Sequence, residues 1–172
     1  MPIGHTCMRP GRLRRLTDGE RALSAQVFGR ALDSTRVRLW AMPLWSRAFA
    51  ASGRLMAWPA RGARPDFTAS DVSVRDQALF VHELVHVWQA QHGLNLLIAK
   101  LRAGDGPAAY AYDLTGEPVF TALNLEQQAM VVEDAFKRAH GLDAPHAASA
   151  YAVVLETVLP NLASRLARTM DA

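Results

Sequence analysis

The stretch Phe-Val-His-Glu-Leu-Val-His-Val-Trp-Gln-Ala-Gln-His-Gly, residues 80–93, sets three histidines, the first two of them one helical turn apart, a glutamate and two glutamines into a largely apolar run. His82, Glu83 and His86 fit the pattern His-Glu-x-x-His. On a helix, positions i and i+4 lie one above the other on a single face, so both imidazoles can reach one metal ion. Zinc takes such nitrogens at about 2.0–2.1 Å. Glu83 is one residue on, about 100° round the helix. It is turned away from the ligand positions and falls where it can take the proton of a metal-activated water. The spacing therefore points to metal-assisted hydrolysis, with His82 and His86 as ligands and Glu83 as general base.

Phe80, Val81, Leu84, Val85, Val87 and Trp88 cover most of the helix circumference, and His82, Glu83, His86 and Gln89 fill the remaining sector. Buried polar groups cost free energy unless they are paired. A polar stripe on a nearly buried helix accordingly faces a cleft or an ion. The competing reading is a hydrogen-bonded structural network with no metal.

A catalytic zinc site takes three protein ligands and keeps one position open. His92 has the spacing of the longer pattern His-Glu-x-x-His-x-x-Gly-x-x-His, but Gln89 stands where that pattern needs a glycine to turn the chain. In a continuing helix His92 rises about 9 Å beyond His86 and points elsewhere. An acidic ligand from a later helix is the leading candidate. In Asn-Leu-Glu-Gln-Gln-Ala-Met-Val-Val-Glu-Asp, residues 124–134, Glu126 shares a face with Ala129, Met130 and Glu133. Glu126 is the expected third ligand, with Asp113 and His92 as alternatives. Glu133, further along, can accept from an imidazole N–H. Tyr110 and Tyr112 precede that helix, and the Tyr112 hydroxyl is expected to donate to the oxyanion of a tetrahedral intermediate.

The elements that must position these residues are legible from caps and periodicity. Thr17 and Glu20 have capping-box spacing, which predicts a helix from Asp18. Arg36-Val37-Arg38-Leu39 alternates as a half-buried strand does, and residues 53–59 form a second strand candidate. The two can pair, though a hairpin alone is marginal without a helix to pack on. Ser73, three residues before Asp76, predicts the start of the helix that runs to Gly93. Residues 103–118, rich in glycine and proline, read as a long loop. A helix over 121–140 follows, and Pro160 is expected to split the last helical stretch.

Composition bounds the rest. A chain of 172 residues, half hydrophobic and a fifth charged, is ordinary for one globular domain. Residues 1–15, with Arg9, Arg12, Arg14 and Arg15, predict a flexible basic leader, and 16–172 a single domain. The net charge is +3, but no aromatic residues interleave with these arginines, so a nucleic-acid partner is not expected. No apolar run approaches the length of a membrane span. No apolar segment follows the N-terminal charges, so cytoplasmic residence is the expectation, and a specialised delivery machine would leave no trace in these features. One cysteine, Cys7, excludes an internal disulfide and any cysteine-based zinc knuckle.

Residues 80–93, the block Leu-Asn-Leu-Glu-Gln-Gln-Ala around Glu126, and Leu-Thr-Asp-Gly-Glu-Arg-Ala-Leu near the start together resemble Vgr-related bacterial zinc metallopeptidases. These are akin to small domains with a His-Glu-Leu-Thr-His motif found near contractile injection and type VI-like systems. The resemblance runs from about Leu16 to His140. Val85 stands where threonine is common, which leaves the ligands untouched. The resemblance implies an α+β, mostly helical fold with a zincin-like core of minimal gluzincin type and a small sheet or hairpin. It also implies one Zn2+ held by His82, His86 and Glu126, and hydrolysis of a peptide or protein substrate. The alternative it leaves open is a zinc-binding but non-catalytic accessory or scaffold of a contractile injection or secretion system, with components of that system as partners.

Overall fold

The structure is a computed structural model and describes residues 7–104, 106–116 and 118–170. It is a mixed α+β fold in which four short strands make one sheet and helices supply most of the rest. The strands are β1 (Leu13–Arg15), β2 (Arg38–Met42), β3 (Phe49–Ser52) and β4 (Leu55–Pro59), in the spatial order β1-β2-β4-β3. β1 runs antiparallel to β2, with Arg14 opposite Leu39. β2 and β4 are parallel, with Leu39 opposite Met56. β3 returns antiparallel on the far side of β4, with an irregularity between Ala50 and Ser52. The alternation read from the sequence holds, since Leu39 and Ala41 are fully buried. The expected small sheet is present and the two foreseen strands do pair, but not as a hairpin. The two strands foreseen are parallel neighbours, and parallel neighbours need a crossover. Residues 43–54 supply it and leave β3 at the edge.

The expected basic leader is also corrected for residues 7–15. Met8 and Leu16 lie in the core, and β1 is paired. The Arg14 guanidinium makes two 2.6 Å hydrogen bonds to the carboxylate of Glu20, which is fully buried. Glu20 also accepts from the backbone N–H groups of Thr17 and Phe67, each at 2.9 Å. A buried carboxylate is tolerated only when so completely paired. The arginine that reads as a solvated tail charge is thus half of a core ion pair. Residues 1–6 of the expected leader lie outside the described residues.

The helices are α1 (Asp18–Phe28), α2 (Val74–Gln91), α3 (Leu96–Ala103), α4 (Pro107–Tyr110), α5 (Leu125–Ala139), α6 (Ala148–Leu155) and α7 (Pro160–Met170). Thr17 caps α1 through the predicted capping box, and Ser73 caps α2 by accepting from Asp76 N–H at 3.1 Å. α5 starts later than periodicity alone suggests, because Asn124 and Gln127 form a second capping box there. α3 and α4 occupy ground that includes the predicted loop. Pro160 opens α7, where a missing N–H costs nothing.

α2 lies between the sheet and α5, and α3, α4, α6 and α7 also pack against α5. Phe80 of α2 stacks on Phe67 at 4.8 Å, and Trp58 of β4 completes that aromatic group. Gly53, in the turn between β3 and β4, lets the sheet approach the end of α2. A Cβ there would lie 3.0 Å from Gln91 Cγ and 3.3 Å from Gln91 N. Gln91 also donates to the Gly53 carbonyl at 2.8 Å. β3 is thereby held alongside the helix that carries the histidines. Among the described residues, no helix is long and apolar enough to cross a membrane.

Candidate metal centre

α2 and α5 meet through apolar faces, and at their contact each turns polar. His82, His86 and Glu126 come together there, 6%, 6% and 1% exposed. One ligand atom from each lies within 4.8 Å of the other two, so the three could hold a metal ion. The geometry is tighter than that bound. Glu126 Oε2 is 3.5 Å from His82 Nε2 and 3.2 Å from His86 Nε2. A tetrahedral ion with bonds of about 2.1 Å has donor–donor edges of about 3.4 Å, and the observed pairs match that edge. Two imidazoles and one carboxylate are also a donor set that catalytic zinc takes.

Further contacts surround the three. His82 Nδ1 lies 2.9 Å from Glu133 Oε2, a close charge contact lying off the line of a ring N–H bond. Glu133 is itself held by Lys137 Nζ at 2.6 Å. His86 Nδ1 is 2.8 Å from Gln89 Oε1. Lys100 of α3 brings its ammonium 3.0 Å from Glu126 Oε1, the carboxylate oxygen turned away from the histidines. Burial opposes charge on His82, but the flanking Glu126 and Glu133 outweigh it and push the ring up to about 9. For Glu126, burial raises the carboxyl while His82, His86 and Lys100 hold it well below the usual carboxylate range. The cluster therefore demands a cation between its rings and its carboxylate, and a proton or a metal ion can meet that demand.

Glu83 is 4% exposed, and its Oε2 is buried without a hydrogen-bond partner. A buried carboxylate oxygen normally has one. It neighbours the ligand pair on α2 and remains available as an acceptor. A cleft of about 540 Å³ opens beside Gln89, between α2, α3 and α5, with Trp88, His92, Arg102, Leu123 and Leu125 on its walls.

The structure thus brings His82, His86, Glu126, Glu83 and Glu133 together, and leaves the other candidates elsewhere. His92 caps α2, exposed, with Nδ1 2.9 Å from the Trp88 carbonyl. Asp113 is exposed and accepts from Thr115, so it closes a local turn. The Tyr112 hydroxyl donates to Asp134 Oδ2 at 2.7 Å and lies 2.7 Å from the Tyr151 hydroxyl. Burial and these two partners hold the phenol protonated far above its ordinary range. In this arrangement the hydroxyl is committed to α5 and α6 and does not face the cluster. Tyr110 OH lies 3.5 Å from an Arg47 nitrogen.

Lys100 is not legible in the sequence, because α3 itself is not. Asn95, whose side chain accepts from Ile98 N–H at 3.1 Å, was the available cap signal. Gln128 is not legible either. It is the partner of Gln89, and nothing local to either residue announces the other.

A mixed α+β chain with a buried two-histidine, one-glutamate cluster is the class that fold and site define. No protein-family model matches the chain. Its sequence is 32% identical over 155 residues to the type VI secretion system spike protein VgrG2b of Pseudomonas aeruginosa. That alignment takes in 83% of this chain and 15% of the spike protein, so the chain spans a small part of that relative. The solved effector domain of P. aeruginosa VgrG2b superposes with a TM-score of 0.57 at 27% identity, over 92% of this chain and 88% of that domain. The chain is homologous to that effector domain.

Proposed function

We propose that this chain is a zinc-dependent peptidase domain of the effector kind, associated with a secretion system. The observation that carries the reading is Glu83: a buried carboxylate oxygen without a partner, one residue from His82 in a cluster whose spacings fit an ion. His82, His86 and Glu126 would hold Zn2+. The bound ion would supply Lewis acidity to the scissile carbonyl and to the attacking water. Glu83 accepts the proton of that water and returns it to the amine nitrogen as the peptide C–N bond breaks. Glu133 and Gln89 hold the two imidazoles from behind. β3, the edge strand beside α2, offers unpaired backbone groups to an extended peptide. Association with secretion-system components rests on the homology to VgrG2b.

A second reading keeps the ion and drops the reaction, making the chain a metal-stapled accessory domain of a secretion spike. It is favoured by the relative's name, which describes a spike component, and by the small fraction of that protein the chain matches.

One comparison separates the two. Wild type and Glu83→Gln are analysed for metal content and for cleavage of an unfolded protein substrate. The peptidase reading expects about one zinc per chain in both and cleavage only in wild type. Metal in both with no cleavage in either leaves the accessory role. Undiminished cleavage by Glu83→Gln removes that residue from the mechanism.

A further inference from the structure

Gln89 stands three residues after His86 on α2, 4% exposed, with both donors of its amide used and its oxygen engaged by His86. Its Nε2 donates to the Leu125 carbonyl at 3.1 Å and to Gln128 Oε1 at 2.9 Å. A backbone carbonyl can only accept, so the NH2 of Gln89 must face Leu125, and its Oε1 must face His86. Gln128 is fixed in the same way. Its Nε2 donates to the carbonyls of Phe120 at 3.3 Å and Leu123 at 3.1 Å, which leaves its Oε1 for Gln89. Two side-chain amides are thus oriented by three backbone carbonyls in and just before α5.

The consequence falls on the imidazole. An amide oxygen only accepts, so the His86 nitrogen it meets at 2.8 Å must carry the hydrogen. We infer that Gln89, braced by Gln128, is a positioning residue that holds the hydrogen of neutral His86 on Nδ1, against the competing acceptor Glu126 Oε2 3.2 Å from Nε2, and so keeps the Nε2 lone pair for an ion between the two. This deepens the metal reading above and rests on it for its purpose, though not for its geometry. It also gives a role to the residue that occupies the glycine position of the longer histidine pattern. Because α2 continues through that point, the side chain three residues on can reach back to the second histidine. His82 has no such neutral reader, since carboxylates face both of its nitrogens.

The test uses the full chain, wild type and Gln89→Met, a variant of similar length with no acceptor oxygen. Long-range nitrogen–proton spectra of the zinc-free protein, taken where His86 is neutral, report which ring nitrogen carries hydrogen. Zinc affinity is measured separately by competition with a chromophoric chelator. The expected results are a protonated Nδ1 at His86 in wild type, loss of that preference in Gln89→Met, and zinc binding weakened about 10- to 100-fold with the circular dichroism unchanged. An Nε2–H tautomer in wild type overturns the inference, and so does wild-type zinc affinity in a folded Gln89→Met. If that variant does not fold, the wild-type spectrum decides alone. A wild type that binds no zinc refutes the metal reading, while the tautomer in the zinc-free protein still judges Gln89.

Discussion

In a chelator that keeps metal off the cluster, the protein should lose stability as the solution is made alkaline, and His82 should be the reason. Its ring is pushed from 6.5 up to about 9 in the folded protein. The side chain is only 7% exposed, so solvent screens the effect little. The rise of about 2.5 pH units, at about 1.36 kcal/mol each, corresponds to about 3 kcal/mol. The low value of Glu126 is the same attraction seen from the carboxylate, so it is not added. The direction follows from proton binding. Below about pH 6.5 both folded and unfolded chains carry the proton, and the stabilisation is complete. Between 6.5 and 9 the unfolded chain has released it and the folded chain has not, so stability falls by about 1.4 kcal/mol per pH unit. Above 9 the contribution is gone. Glu126 and Glu133, both depressed, contribute in the opposite sense and lose their share as pH falls through the carboxylate range. Urea unfolding in chelator, followed by tryptophan fluorescence at pH 6, 7.5 and 9.5, measures the effect, with His82→Asn as the control that should flatten it. A wild-type profile that is level across that span would refute the argument that the cluster holds a proton when it holds no metal. Zinc should reverse the trend at neutral pH, because the ion takes the deprotonated ring and releases the proton.

Tyr112→Phe should cost about 1–3 kcal/mol, since it strips Asp134 of a buried donor, and should leave the metal affinity of the cluster unchanged. Chemical denaturation beside metal analysis checks it, and a loss of catalysis without loss of stability would restore the oxyanion role. Glu20→Ala should cost about 3–5 kcal/mol by taking the carboxylate partner from the Arg14 guanidinium and the acceptor from two backbone donors. Arg14→Leu with Glu20→Leu should be less destabilising than the sum of the two single changes, read from unfolding midpoints.

What could be read from the sequence was what is local. The His82 and His86 pair lies four residues apart on one helix, and Ser73 and Gly93 mark that helix at both ends, so α2 and its stripe follow from the chain itself. Glu126 followed from a carboxylate on a largely inward face of α5. Longer-range pairing left no such trace. Arg14 reads as a surface charge until Glu20 is known to be buried against it. Tyr112 reads as a free loop hydroxyl until Asp134, 22 residues on, is found to hold it. β3 has the bland sequence Phe-Ala-Ala-Ser, and its strand character comes from β4 and from the close approach that Gly53 permits. α3 has no buried residue, so the usual apolar face toward a core was missing as a signal.

The ligand candidates stand on α2 and α5, and all of α3, α4 and the intervening loops lie between them in sequence. An ion held by His82, His86 and Glu126 would be a cross-link, closing that excursion as a disulfide would in a chain with paired cysteines. Such a closure removes freedom mainly from the unfolded chain, and the free energy of holding the ion becomes part of the free energy of folding. It would also be reversible, made or undone by the metal supply of whatever compartment the chain occupies, with no dependence on redox conditions.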